Sequence, residues 1–425
     1  MLAMFRRGLF YAYLSIYLRH QLGLSVTETT LFATLPMVVN VLAQTLVWGR
    51  ISDRLQMRRT LIIVGEVLAA CGTVAVWYVH RQFADPLAAG YAIILGLTII
   101  EIFWSMSNIS WSALVSDIYD AQQRSRIQGW LASLGGVGRV IGVWIGGLLY
   151  DGLGQRAEGW GFFEGPLFFV SAGAMLISTL PLFFLPEGGV GTPLSTSAVD
   201  DKKDKSNAVA AIYLVFLAGM VFINFGRNSI AIIFTQYLTL DTGLDLDSRT
   251  LSQIVNTQSL AIVALGWTAG WICRRIGSGA ALLAGTLAAV AGLSVLTLST
   301  ALPAIYAGCF LRGIGDAIIM AAAYTFASVL IPPRMRGRLF AWFNGTFFLS
   351  FGVAGTLIAG PIIDGLISAG FAHPLAYRLS FAAAAGLTII GLLMQTALLV
   401  FLRKQKSAAT DPQVARESSC RSANR

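Results

Sequence analysis

The sequence predicts an all-α membrane protein: twelve transmembrane helices in two pseudo-symmetric six-helix bundles. Three observations lead there. Of the 425 residues 56% are apolar and only 12% charged, with a mean hydropathy of +0.70, whereas soluble domains carry about a quarter charged residues. The apolar residues gather into runs near the roughly 20 residues that a membrane helix needs. The second half of the chain also repeats the first. A soluble enzyme, a coiled coil and a disordered chain are excluded together, because none could keep this much apolar surface from water. The 44 glycines suit close helix–helix contacts in lipid.

The apolar runs fall at about 1–19, 27–49, 60–79, 86–116, 127–150 and 165–186, then at about 207–238, 250–273, 279–300, 302–331, 339–363 and 376–402. Between the sixth and seventh lies EGGVGTPLSTSAVDDKKDKS at 187–206, rich in Gly, Ser, Pro and charge, which reads as a linker. The expected organisation is therefore a first bundle at 1–186, the linker at 187–206, a second bundle at 207–403 and a tail at 404–425.

Orientation follows from Lys and Arg in the short loops. One set of loops holds Arg50, Arg54, Arg58, Arg59, Arg124, Arg126, Lys202, Lys203, Lys205, Arg274, Arg275, Arg334, Arg336 and Arg338, and the tail starting at Arg403 is on the same side. The opposite loops hold only Arg19, Arg81, Arg156, Arg249 and Arg378. The rule predicts that the richer side and both termini are cytoplasmic. The net charge of +9 is thus mostly a topology label and does not point to nucleic acid.

Phe5, Arg7, Tyr17, Leu18, Gly23 and Leu24 match Phe225, Arg227, Tyr237, Leu238, Gly243 and Leu244 at an offset of 220. Ser116, Arg126 and Trp130 match Ser328, Arg338 and Trp342 at 212, and Gly142, Gly147, Asp151 and Gly152 match Gly355, Gly360, Asp364 and Gly365 at 213. Six spans per copy make this a parallel repeat, as in transporters whose two bundles rock about a midplane site. The repeat also shows span 1 to be short on its first side: Met1 to Arg19 rises only about 27 Å as a helix. A start upstream of Met1 is expected.

The segment Gly49-Arg50-Ile51-Ser52-Asp53-Arg54-Leu55-Gln56-Met57-Arg58-Arg59 resembles the loop signature of the major facilitator superfamily, Gly-x-Leu-Ala-Asp-Arg-x-Gly-Arg-Arg. The first six positions fit, the second glycine is missing, and the basic pair comes one residue late. The counterpart after span 8, Gly270-Trp271-Ile272-Cys273-Arg274-Arg275, lacks the aspartate. The resemblance implies a gating role for Gly49, Asp53, Arg54, Arg58 and Arg59. Asp53 would receive a helix N-terminus or a loop arginine, a contact that breaks as the transporter opens inward. Span 5 reads Gly129, eight residues, then Gly138-Arg139-Val140-Ile141-Gly142-Val143-Trp144-Ile145-Gly146-Gly147. This is similar to the helix 5 signature of proton-coupled drug antiporters of that superfamily, with Val143 where their proline stands. It implies a hinge at Gly138, Gly142, Gly146 and Gly147.

Ionisable residues at mid-membrane depth are costly and mark functional sites. Arg7 and Arg227 lie at matched mid-depth positions on spans 1 and 7, and organic-phosphate antiporters of the superfamily similarly carry one arginine on each of these helices. Two guanidinium forks suit a carboxylate or phosphate. Arg6 is expected to snorkel or pack. Glu101 on span 4 and Arg139 on span 5 share a depth and could pair. Arg312 and Asp316 on span 10 stand one turn apart and could bridge. Glu101 first and Asp316 second are the candidates for proton coupling, while Glu66 is expected to be structural. Substrate-binding residues are then Arg7, Arg227, Arg139 and Arg312, whose charge exceeds that of Glu101 and Asp316 by two. Asn40, Gln44, Asn108, Asn256, Gln258 and Asn344 could line the path.

The expected function is a monomeric secondary transporter of a small anionic solute, coupled to protons or to a counter-solute. Its expected location is a bacterial inner membrane or an organelle derived from it, with no partner but lipid. No cofactor is expected, since the linker lacks a Gly-x4-Gly-Lys-Ser/Thr loop. Nor is a metal, since Cys71, Cys273, Cys309 and Cys420 are scattered and the three histidines fall near one set of loops. No nucleophile stands with a base, so an enzyme is not expected. The glycines of span 5 leave drug or metabolite efflux as an alternative. The opening run MLAMFRRGLFYAYLSIYLR faintly resembles superfamily members of magnetosome membranes, linked to iron supply. A non-transporting receptor or scaffold is the third reading.

Overall fold

The computed structural model describes residues 1–118, 121–155, 157–187, 206–331 and 336–410, apart from the side chains at 53, 112, 115–118, 121–133, 206–210, 267, 336–338, 340–341 and 406–410. Several residues of the sequence argument therefore lie outside the described ones: Arg156, Lys202, Lys203, Lys205, Arg334 and Cys420, and the side chains of Asp53, Ser116, Arg124, Arg126, Trp130, Arg336 and Arg338.

The helices among the described residues are grouped here into twelve, apart from a one-turn helix at Trp160–Phe163, and no strand occurs there. α1 is Leu2–Ile16 prolonged by a π turn, Tyr17–Gln21. α2 runs through Val26–Ala43, a π turn at Gln44–Trp48, and Gly49–Leu55. α3 is Arg58–His80, α4 Pro86–Ile118 and α5 Ala121–Tyr150. α6 is Pro166–Thr179 with a final tight turn, Leu180–Phe184. In the second half, α7 is Ser206–Ser229 resumed at Ile233–Leu238, α8 Ser248–Ile276 and α9 Ser278–Leu298. α10 is Leu302–Leu330. α11 joins Arg336–Ala354, a π turn Gly355–Ala359 and Gly360–Ser368, and α12 is His373–Thr410.

Nine of these helices are long and apolar enough to cross a membrane among the described residues; α5 contributes a shorter apolar stretch, Leu134–Tyr150. The remaining three are α1, α5 and α8; α5 packs against both α1 and α8. Of the segment read as a loop, 49–59, the first part, Gly49–Leu55, is instead the end of α2. Nothing in Gly49–Leu55 stops a helix, and the chain turns only at Gln56, which takes a left-handed φ of 55°.

α1 and α5 approach through glycine. A Cβ on Gly142 would strike the Phe5 carbonyl, one on Gly138 the Met1 carbonyl, and one on Gly146 the Leu9 carbonyl at 2.7 Å, while Gly8 of α1 lies against the Arg139 carbonyl. Small residues four apart present one continuous groove to a neighbouring helix. Three of the four glycines singled out on span 5 thus form its contact with α1, and Gly147 faces α8 instead. Elsewhere in the first half, Phe10 sits edge-on to Phe162 and Phe168 at 5.1 Å, with Tyr17 stacked on Phe162. In the second half Phe216 packs against Phe326 and Phe343.

The loops remote from the chain termini gather on one face, here called distal. There Arg81 pairs with Glu164 at 3.7 Å, and Arg378 donates to the carbonyls of Thr297 and Leu298. On this side the two halves meet along a polar seam. Ser15 bonds Thr235 at 2.8 Å, Tyr13 bonds Ser252 at 2.6 Å, and Thr356 bonds both Thr30 and Thr34 at 2.6 Å. The described inter-half hydrogen bonds run from the distal rim to about mid-depth, ending at Thr34 to the Gly352 carbonyl and Asn256 to the Val140 carbonyl.

Candidate functional site

In the second half, α7 and α10 carry the mid-depth charges. Arg227 forms an ion pair with Asp316, and its Nε and a terminal nitrogen both donate to Asn224, which in turn donates to Thr346. The other Asp316 oxygen accepts from Gln258 at 2.8 Å. Asp316 therefore pairs with Arg227 from α7, not with Arg312 one turn away on its own helix. The i, i+4 spacing brought Arg312 close, but its guanidinium turns to the Arg227 carbonyl at 3.5 Å and stands over the Phe234 ring. Arg227 is 4% exposed and its donors are engaged on three sides.

The first half is arranged differently. Trp104 of α4 is a platform for two guanidinium groups, Arg6 at 4.3 Å and Arg7 at 5.1 Å from the ring centre. Arg6 is 8% exposed and leaves Nε and one terminal nitrogen without a hydrogen-bond partner. Of the two expectations for Arg6 it is packing that holds: it is buried against Trp104 rather than snorkelling to an interface. Glu101 is equally buried and accepts from Asn40 at 2.5 Å, while Asn40 accepts from Gln44 at 2.7 Å. Glu101 thus joins α2 and does not pair with Arg139. A cavity of about 20 Å³, room for one water molecule, lies among Arg6, Tyr11, Thr73, Glu101 and Ser171. Nearby, Glu66 accepts from Ser107 at 2.7 Å.

Arg139 sits on α5 where the halves face each other. The charges of Asp316, Arg7 and Arg312 all act on it. Neither Arg139 nor Arg7 makes an ion pair or hydrogen bond to a described residue, and both are only partly buried. Counting Arg6 and Glu66 with the ionisable groups of the sequence argument leaves the excess of two positive charges unchanged. Beside this group a larger cavity of about 370 Å³ opens between α5, α8 and α10, lined by Trp144, Asn256, Leu260 and Tyr306 among others.

Of the loop signature, Gly49 is helical, Arg54 is exposed, and the Asp53 side chain lies outside the described residues. Arg58 is buried and donates to Ser52 at 2.5 Å. Arg59 pairs with Glu187 at 3.1 Å and donates to the Leu185 carbonyl. Glu187 also accepts from the Thr60 main-chain N–H at 2.9 Å and from its hydroxyl, so it caps the start of α3.

Sequence reasoning gave no site role to Arg6, Trp104 or Glu187. For Trp104 a signal was present, since it follows Glu101 by three residues and so shares a helix face with it. The groups Asn40 and Gln44, four apart, likewise share one face of α2.

No cluster of three or more metal-ligating side chains occurs among the described residues. The family model of the Major Facilitator Superfamily matches residues 1–355 and 216–424. No curated protein matches the sequence. Among solved structures, a bacterial homologue of the human lysosomal transporter Spinster, in an inward-facing unoccupied conformation, is similar at a TM-score of 0.70. It is 15% identical and the alignment covers 95% of each chain. The nucleoside transporter NupG gives 0.66 at 12% identity, covering 94% of this chain and 96% of that one. A bacterial homologue of the iron transporter ferroportin, also inward-facing, gives 0.62 at 12% identity, covering 93% and 97%. At these identities the likeness concerns the fold.

Proposed function

The chain belongs to the major facilitator superfamily of transporters, and from that premise we propose that it moves a small anionic solute by alternating access. The observation that carries this reading is the pair Arg7 and Arg139, two partly buried guanidinium groups with no carboxylate partner among the described residues, near enough for the charge of Arg7 to act on Arg139. A buried or half-buried cation without a counter-ion is costly, so a site that keeps two of them is built to receive negative charge. Planar forks can each grip a carboxylate or phosphate through two bonds. Arg312 completes the site from the second half. Arg227 contributes by holding Asp316 in place rather than by touching the solute.

Glu101, with Asn40 and Arg6 around it, is the proposed proton site. Arg6 has two unsatisfied donors beside a cavity that fits one water, and that water can bridge it to Glu101. A proton on Glu101 would weaken its hold on Arg6, which shares the Trp104 platform with Arg7, and so link protonation to the anion site. Asp316 is the second proposed proton site, Arg58 and Arg59 belong to the proposed gate, and the glycines of α5 to the proposed pivot. By the positive-inside rule the arginine-rich loops favour cytoplasmic termini, and a monomer in a bacterial inner membrane is the proposed form.

The test is uptake and counterflow in proteoliposomes with phosphate, carboxylates, ferric chelates and a cationic dye, each with and without a pH gradient. Anion flux that is lost in Arg7→Ala and Arg139→Ala protein of unchanged thermal stability supports the reading. Flux of the dye alone overturns it, and anion flux indifferent to the gradient removes the proton role of Glu101.

A further inference from the structure

The duplicated segment Gly-x3-Asp-Gly, Gly147 to Gly152 in the first copy and Gly360 to Gly365 in the second, has no part in the solute site. In space each copy ends at the distal rim against the other half. Asp364, near the end of α11, accepts the main-chain N–H groups of Val26 and Thr27 with its two oxygens, at 3.0 and 2.8 Å. These are the first two residues of α2. Asp151, just past the end of α5, accepts the hydroxyl of Ser248 at 2.7 Å, and Ser248 is the first residue of α8. The glycine four residues before each aspartate lies against the same helix start. A Cβ on Gly360 would meet the Thr27 backbone at 2.8 Å, and one on Gly147 the Ser248 carbonyl at 3.0 Å. Both copies therefore do one thing: a glycine admits the opposing helix, and an aspartate engages its first turn.

We propose that these segments are a pair of latches that hold the distal face of the transporter shut. The first N–H groups of a helix have no partner within it. α2 satisfies its third through a capping box, Ser25 to Glu28 at 3.2 Å and back at 2.8 Å, and leaves its first two for Asp364 on the other half. The macrodipole of α2 adds to the attraction. At the rim, water can take over both partners when the halves separate, so opening strands no buried polar group. That property separates the latch from the buried pair Arg227–Asp316, whose rupture would strand charge. Because the contacts exist only with the distal face closed, each one biases the equilibrium toward that state, and their removal biases it back. The two are not chemically equal. Asp364 needs both oxygens, so asparagine loses one bond there. Asp151 offers only one acceptor to Ser248, and asparagine can supply it.

The experiment needs no knowledge of the solute, so its outcome is independent of the anion reading. A single reporter thiol, Ser15→Cys at the fully buried seam position, is placed in protein whose four cysteines are replaced by serine. A membrane-impermeant maleimide then labels it from the distal side, in intact cells or inverted vesicles as orientation requires. The double variant Asp151→Ala with Asp364→Ala is expected to label about tenfold faster, the effect of roughly 1.4 kcal/mol. Asp364→Asn should fall between, and Asp151→Asn, which keeps its acceptor for Ser248, should label no faster than the parent. Labelling of the double variant at the parent rate overturns the proposal. If the double variant does not fold, Asp364→Asn and Ser248→Ala decide instead, and parent rates in both overturn it equally.

Discussion

The hydroxyl of Ser15 lies 2.8 Å from that of Thr235, and the two residues are 220 positions apart, the same offset that relates Arg7 to Arg227. Equivalent positions of the two copies thus meet where the halves meet, and the repeat axis passes between them. Arg7 and Arg227 stand eight residues earlier on their helices, about 12 Å deeper. They occupy equivalent places but have unlike surroundings. Arg227 is enclosed by Asp316 and Asn224, whereas Arg7 stands beside Trp104 without a counter-ion.

That asymmetry predicts opposite phenotypes. Arg227→Met strands the Asp316 carboxylate and Asp316→Leu strands the guanidinium, so either should cost about 3–5 kcal/mol of stability. The double variant should recover most of it, because a buried pair replaced by apolar side chains is often neutral. Arg7→Met should unfold close to the parent. Unfolding in mixed micelles checks all four, and a loss in Arg7→Met equal to that in Arg227→Met would refute the assignment.

The glycine groove between α1 and α5 makes a second prediction. Gly142→Ala places a methyl on the Phe5 carbonyl, where backbone cannot yield, so overpacking should cost about 1–3 kcal/mol. Gly173→Ala in α6 meets nothing within 4 Å and removes a helix-weakening glycine, so it should be neutral or stabilising by up to about 1 kcal/mol. Thermal unfolding of the two variants side by side in one detergent measures the difference. Equal behaviour would mean that α1 and α5 are not in backbone contact.

The all-helical membrane fold and most of the spans were legible in the sequence because hydropathy is a local pattern. Hydropathy and spacing report where a residue lies along its own helix. They do not report its partner. Arg312 and Asp316 are one turn apart, yet Asp316 bonds Arg227 from α7, since tertiary packing brought a better-oriented guanidinium. Glu101 and Arg139 share a depth, yet Glu101 turns to Asn40 of α2. Arg6 was expected to snorkel or pack, and spacing could not choose between the two; the Trp104 ring that it packs on belongs to another helix. Glu187 was assigned to the linker because its sequence neighbours are Gly, Ser and Pro; its partners, Arg59 and Thr60, lie far away in the chain.

Glu187 is the subject of a third prediction. It closes α6 onto the first turn of α3 through an ion pair and two further bonds, each to a half-exposed group. Glu187→Ala removes the cap and should cost about 1–2 kcal/mol, while Glu187→Gln keeps the bonds to Thr60 and should cost less. Because the pair is accessible to solvent, added salt should narrow the gap between parent and Gln variant but not that between Gln and Ala. A gap that salt leaves unchanged would assign the effect to packing.

The last prediction concerns pH and rests on Asp151. Burial holds its carboxyl above the ordinary range, the nearby charge of Asp247 pushes in the same direction, and the bonds from Ser248 oppose both. Glu158, raised mainly by burial, also feels Asp151 together with Asp241 and Asp245, and the phenols of Tyr13 and Tyr150 face the same carboxyl. A group whose pKa is higher in the folded, closed form binds a proton there more tightly than in water. Its stabilisation is therefore complete below the ordinary aspartate value of about 3.9 and is lost as pH rises through the elevated one. The distal-closed form should be favoured in acid, and the melting temperature should fall with rising pH across that window. Asp151→Asn keeps the acceptor for Ser248 but cannot ionise, so it should flatten the slope and leave the protein more stable than the parent at neutral pH. Glu158→Gln should remove part of what slope remains. An unchanged slope in Asp151→Asn would exclude this carboxyl as the titrating group, and a fall in neutral-pH stability would mean that its charge, not its acceptor, secures α8.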